Sequence, residues 1–233
     1  MKILLAPSKT MDPYPVEELH LPPFKEKTEF LMKELQRYSV DDLRKLYKTS
    51  EIIAQHNHQR FRSFFEVHQA YHAYTGYMFK MMDKPSLNEK ATDYIKDHLM
   101  IVSGLYGLVS MRDTIGLYRL PMGVKVQMPL FEYWKDTLTD YLKDEWVVDL
   151  MSQEYRDAFE TSKLDITTID FVMIKNGQEH RPAMALKKAR GLMVKEMALN
   201  NVHDKKALKQ CVVDGYRYDD SLSSENTFVY KKE

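Results

Sequence analysis

Most of the side chains able to do chemistry fall in four short clusters, and each cluster follows an apolar run that reads as a strand. Lys2–Ala6 runs into Pro7-Ser8-Lys9-Thr10, with Asp12 just beyond. Met100–Val102 runs into Ser103-Gly104-Leu105-Tyr106-Gly107, and Val147–Leu150 into Ser152-Gln153-Glu154-Tyr155. Pro182–Leu186 runs into Lys187-Lys188-Ala189-Arg190-Gly191. In open α/β sheets ligands bind beyond the carboxyl ends of strands, where free backbone N–H groups and helix N-termini collect. If these strands are parallel neighbours, the clusters share one pocket holding Lys9, Lys187, Lys188 and Arg190, with Glu154 and Asp12 as its acids. Such a pocket suits an anion, phosphate above all.

Each cluster also has a plainer reading. Ser152 is a natural helix N-cap, and Gly104 and Gly107 are natural turn glycines. Between Arg181 and Lys209 stand eight Lys or Arg against two acids, Glu196 and Asp204, a run that on most helices is a solvated face. Lys9 is harder to explain structurally, because it follows a buried strand and cores avoid lysine.

Several chemistries find no support in the sequence. There is no Gly-x-Ser-x-Gly elbow, and Ser103 and Ser152 have no identifiable His and Asp partners. His56 and His58 are two apart on a predicted helix and point to different faces, with no His-Glu-x-x-His nearby. Neither a Walker lysine motif nor Gly-x-Gly-x-x-Gly occurs. No metal and no cofactor is therefore expected.

The clusters need elements to hold them. Pro7 to Pro23 carries five prolines and reads as a long irregular loop. Lys25–Tyr38 reads as a helix with Phe30, Leu31 and Leu35 near one face. Ser39-Val40-Asp41-Asp42 offers an N-cap and an N3 carboxylate for a helix through Lys48. Ser50 caps a third, with Ile52, Ile53 and Phe61 inward. Further helices are expected at about Asn88–Leu99 and from Pro129 through Leu142. Remaining strands are read at Leu117–Leu120 continuing to Val126, at Ile166–Lys175 and at Thr227–Tyr230. Asn176-Gly177 marks a type I′ hairpin, because both residues accept positive φ. Helices interleaved with strands plus one hairpin predict an α/β (mixed α+β) fold, a mixed sheet flanked by helices, as one domain over residues 1–233.

Composition sets the outer limits. With 34 basic and 34 acidic residues the net charge is zero, so any nucleic-acid binding must come from local clustering. Cys211 is the only cysteine, which excludes an internal disulfide and fits a cytoplasmic location. The apolar run at the N-terminus is too short for a signal peptide or a membrane span.

Over nearly its whole length the sequence resembles the peroxide-stress YaaA family, also known as DUF328 or UPF0246 proteins. The residues carrying the resemblance are Leu5-Ala6-Pro7-Ser8-Lys9-Thr10-Met11-Asp12, Arg60-Phe61, Tyr74-Thr75-Gly76, His98 to Gly107 and Asp113. They continue with Tyr118-Arg119-Leu120, Met122-Gly123, Trp134, Ser152 with Glu154-Tyr155, Lys187 to Met193, and Gly215-Tyr216. Ser8 stands where the family commonly has alanine, and Ser110-Met111-Arg112 where Arg-Pro-Leu is more typical. The resemblance implies a role in the response to hydrogen peroxide that limits iron-driven damage. It also implies DNA binding through a positively charged cleft and a helix-hairpin-helix element. The local candidate for that element is Ile95–Val102, a turn at Ser103–Gly107, and Leu108–Ile115. The strand reading of Met100–Val102 competes with it.

Two functions follow. In one, Lys9, Arg60, Ser103, Gly104, Gly107, Arg119, Ser152, Lys187, Lys188 and Arg190 hold DNA backbone phosphates without reading base sequence. In the other, the same pocket is an enzyme site for a nucleotide, nucleobase or other small anionic metabolite. There Glu154 or Asp12 would be the acid/base and Arg190 or Lys9 the anion clamp.

Overall fold

A computed structural model describes all 233 residues. The parallel strands at its centre read as nearly unbroken apolar runs because both of their faces are covered. β1 (Lys2–Leu5), β2 (Leu99–Ser103), β4 (Trp146–Asp149), β5 (Asp165–Lys175) and β9 (Thr227–Lys232) form this parallel centre, and every residue of β2 is buried. Antiparallel pieces complete it: β3 (Gly107–Ser110) on β2, β6 (Gln178–His180) on β5, and β8 (Tyr216–Tyr218) then β7 (Val212–Val213) beyond β9. The order across this nine-stranded sheet is β7-β8-β9-β5-β4-β1-β2-β3, with β6 beside β5. The mixed α/β class predicted from the sequence is what the chain adopts.

The helices are α1 (Lys25–Gln36), α2 (Val40–Tyr47), α3 (Glu51–Arg62), α4 (Ala70–Ala73), α5 (Tyr77–Met81), α6 (Glu89–His98), α7 (Leu130–Leu142), α8 (Gln153–Arg156), α9 (Ala183–Leu199) and α10 (Lys205–Lys209). α1, α2 and α3 pack together, and so do α5, α6 and α9. Ser39 and Asp42 make the reciprocal capping box at α2, as their spacing predicts. Asn88 caps α6 through its side chain. Asn176 and Gly177 turn the β5–β6 hairpin with φ of 53° and 72°. Sixty buried residues form one contiguous core, with Trp134, Tyr74 and Tyr106 among its largest members.

Four expectations need correction. Pro182–Leu186 is no strand: Pro182 is an N-cap, and the chain runs on as the 17-residue helix α9. Its Ala, Met, Leu, Lys and Arg are strong helix formers, and their sum over four turns outweighs the short apolar run. The helix-hairpin-helix placed at Ile95–Ile115 is instead the end of α6 followed by the β2–β3 hairpin, in which Ser103 pairs with Gly107. The buried β2 residues favour pairing with β1 over continuing the helix. Leu117–Leu120 is irregular, and only Lys125–Val126 of the expected strand pairs, with Met128–Pro129. Ile52, expected to face inward, lies on an exposed helix face.

Sheet topology fixes where a ligand can enter. β1 connects to β2 on one side, whereas β4 connects to β5 on the other, and β1 and β4 are parallel neighbours. Two adjacent parallel strands whose connections leave in opposite directions open a crevice at their carboxyl ends.

Candidate functional site: a donor-rich cavity between β1 and β4

That crevice is a cavity of about 520 Å³, within the range of small-ligand sites. Ala6 to Thr10 line it from the end of β1, and Ser152, Glu154 and Tyr155 from the end of β4. Tyr118 to Pro121, Tyr47 at the end of α2 and Gly76 to Phe79 add further walls. α9 supplies Met184, Lys187 and Arg190. These three are spaced so that they share one face of a helix. Lys188, one step round, turns away and pairs with Asp214 at 2.6 Å.

The loop after β1 is held by contacts that depend on small groups. Ser8 Oγ accepts the Thr10 N–H at 3.1 Å, and the Thr75 N–H donates to the Thr10 carbonyl. A side chain at Gly76 would place its Cβ 2.3 Å from Ser8 Oγ. Glycine there lets the β1 loop close onto the Tyr74–Gly76 segment and sets Lys9 at the cavity rim. On the opposite wall the Gly123 N–H donates to Glu154 Oε1 at 3.0 Å, which fixes the one carboxylate lining the cavity.

The electrostatics are lopsided. Arg119 and Arg190 form no ion pair, and the Nε of each is buried without a hydrogen-bond partner. Tyr47 hydroxyl is orphaned in the same way, so three of the six unpartnered buried polar side-chain atoms of the chain line this one cavity. Buried donors without acceptors are rare and costly. Burial lowers the pKa of Arg190, while the charge of Asp149 opposes that shift. Asp149 is itself fully buried at the end of β4. It accepts from the Met151 N–H at 2.7 Å and from Arg156 Nε at 2.5 Å. Burial raises the pKa of the Tyr47 phenol, which keeps it a neutral donor.

The residues singled out in the sequence divide into two groups. Lys9, Arg119, Ser152, Glu154, Lys187 and Arg190 line the cavity together. Ser152 sits at the N-cap position of α8 but makes no capping hydrogen bond through its side chain. Ser103 lies elsewhere, fully buried, with its Oγ accepting the N–H groups of Leu105 and Tyr106. Gly104 and Gly107 belong to the β2–β3 turn, packed against Leu120 and Trp134 respectively. Arg60, on α3, is partly buried and feels the charge of Asp12; neither lines the cavity. Sequence reasoning passed over Tyr47, Met184 and Asp149. Asp149 left a signal, a carboxylate closing the apolar run Val147-Val148, and Tyr47 and Met184 left none.

Comparison with known proteins decides the family. Residues 1–222 match the family described as peroxide stress protein YaaA. The chain belongs to that family. Among YaaA-family relatives, a UPF0246 protein of Crocosphaera subtropica is 34% identical over 250 residues, covering all of both chains. One from Clostridium botulinum is 34% identical over 256 residues, again covering both chains fully. A third, from Alteromonas mediterranea, is 35% identical over 252 residues, covering 99% of this chain and 97% of the relative. No helix is long and apolar enough to cross a membrane.

Proposed function

We propose that this chain serves the peroxide response in the cytoplasm as a DNA-phosphate-binding protein that limits iron-driven oxidative damage. The observation carrying this reading is that Arg119 and Arg190, each with a buried Nε and no acid partner, line one cavity with Lys9 and Lys187. Guanidinium donors match phosphate oxygens in geometry and charge. Affinity for DNA should fall with salt at a log–log slope of about −0.9 per phosphate contacted on duplex and about −0.7 on single strands. Fluorescence anisotropy with labelled DNA across a salt series measures this. Arg119→Gln with Arg190→Gln should weaken binding and flatten the slope, whereas Lys188→Gln, which removes a lysine occupied by Asp214, should do neither. A slope and affinity unchanged by the arginine pair would sink the proposal.

The second reading, an enzyme acting on a nucleotide or similar small anion, draws support from Glu154. It is the carboxylate facing this set of donors, beside Ser152, in a cavity of small-ligand size. Native mass spectrometry of the freshly purified protein tests it. A co-purifying phosphorylated metabolite, lost in Arg190→Gln, would favour this reading; bare protein that turns over no nucleotide would remove it.

A further inference from the structure

A chain of hydroxyls behind the cavity has a direction. Ser103 Oγ accepts two backbone N–H groups, from Leu105 at 3.1 Å and Tyr106 at 3.0 Å. Its lone pairs are thereby used, so the Ser103 hydroxyl donates to Tyr118 Oη, 2.6 Å away. Tyr118 Oη also lies 2.9 Å from Tyr74 Oη. Tyr74 is fully buried and its hydroxyl has no other partner. If Tyr118 donated to Tyr74, the Tyr74 hydrogen would be stranded in the core, at the cost of an unsatisfied buried polar group. The satisfied arrangement has Tyr74 donating as well. Tyr118 then accepts twice and keeps its own hydrogen free of protein acceptors, and its side chain lines the cavity.

The cavity is therefore lined by two tyrosines whose hydroxyl hydrogens have no protein acceptor, Tyr47 and Tyr118, and by two arginines without acid partners, Arg119 and Arg190. A backbone phosphodiester has two free oxygens and one negative charge. A terminal phosphate has three free oxygens and nearly two charges at neutral pH. The second matches two arginines without acid partners and two tyrosine donors better. Size points the same way, because about 520 Å³ holds a single nucleotide and not a double helix.

We infer that this cavity is a subsite for a terminal phosphate, the phosphomonoester of a nucleotide or of a strand end, and that Tyr118 is one of its donors. This rests on the reading of the cavity as a phosphate site and narrows it to the terminal group. The test compares single strands of identical sequence carrying a 5′-phosphate, a 3′-phosphate or hydroxyls at both ends. Adenosine monophosphate and adenosine serve as competitors, with affinities taken by calorimetry or anisotropy. A strand phosphorylated at one end should bind roughly tenfold or more tighter than its hydroxyl-ended twin. Adenosine monophosphate should compete where adenosine does not, and Tyr118→Phe should narrow the gap between the strands. Mononucleotide binding with no strand binding would uphold the subsite and remove the DNA reading. Equal, salt-sensitive affinity for every strand would overturn the subsite and leave DNA binding standing. No binding by any probe would end both. Should Tyr118→Phe fold poorly, the comparison on the unmodified protein already decides.

Discussion

At the scale of single residues, Arg190 separates ligand affinity from stability. Its guanidinium is largely desolvated and makes no ion pair, and the nearby charges of Asp149 and Asp170 offset only part of that cost. Arg190→Gln should thus lower affinity for a phosphate ligand by roughly 10- to 100-fold while leaving the melting temperature equal or higher. Calorimetry on the same preparation reads both. Lys188→Gln is the mirror case: its solvent-screened pair with Asp214 contributes little, so stability dips slightly and affinity holds. Asp113 makes a pH prediction. Burial pushes its pKa up to about 6, against an unperturbed 3.8, although the Ser110 N–H opposes the shift. The folded protein then takes up this proton before the unfolded chain does. The stability it contributes is present below pH 3.8 and lost as pH rises through about 6. Asp113→Asn, whose carbonyl can still accept the Ser110 N–H, should gain on the unmodified protein at about pH 7.5 relative to about pH 5. Melts showing no such crossover would refute it. Capping at Ser39–Asp42 was legible at this scale because two residues three apart decide it. The split between Lys187 and Lys188 was not, since it needs the phase of a helix that had been read as a strand.

At the scale of elements, α9 is the part that must not move. Gly191 lets it press on α5: an added Cβ would stand 2.1 Å from the Met78 carbonyl oxygen and 2.8 Å from Met81 Cβ. Gly191→Ala should cost roughly 1–3 kcal/mol through overpacking, seen in denaturant melts. It should also weaken phosphate binding, because Lys187 and Arg190 ride on the displaced helix. Unchanged affinity in a destabilised variant would show that the helix face does not set the site. The central strands were readable from apolar runs ending in polar clusters, and β5–β6 from Asn176-Gly177. Errors fell where a run of four or five apolar residues fits either period. Pro182–Leu186 is the example, and only the continuation of helix formers to Leu199 distinguishes the two. Convergence of the first, third and fourth clusters survives that error, since α9 delivers its residues from the side rather than from a strand end.

At the scale of the whole molecule, the last strand is an interior one. β9 (Thr227–Lys232) lies between β5 and β8, parallel to the first and antiparallel to the second. The family match covers residues 1–222, full-length relatives align to the end of the chain, and a chain cut at 222 would leave β5 with a bare edge and its buried apolar face open. Removing residues 223–233 should abolish cooperative unfolding and give aggregating protein on size exclusion. A well-folded truncated chain would contradict the sheet order. β1 raises the matching question at the other terminus. It is made first, but its neighbours in the sheet are Leu99–Ser103 and Trp146–Asp149, and the cavity it borders is closed by Arg190 from α9. While a ribosome is still making residues before Leu99, the strand β1 has nothing to pair with and the cavity does not exist. Copies terminated before α9 would therefore carry sticky apolar segments around an unfinished cavity, so stalled translation would yield substrates for chaperones and proteases.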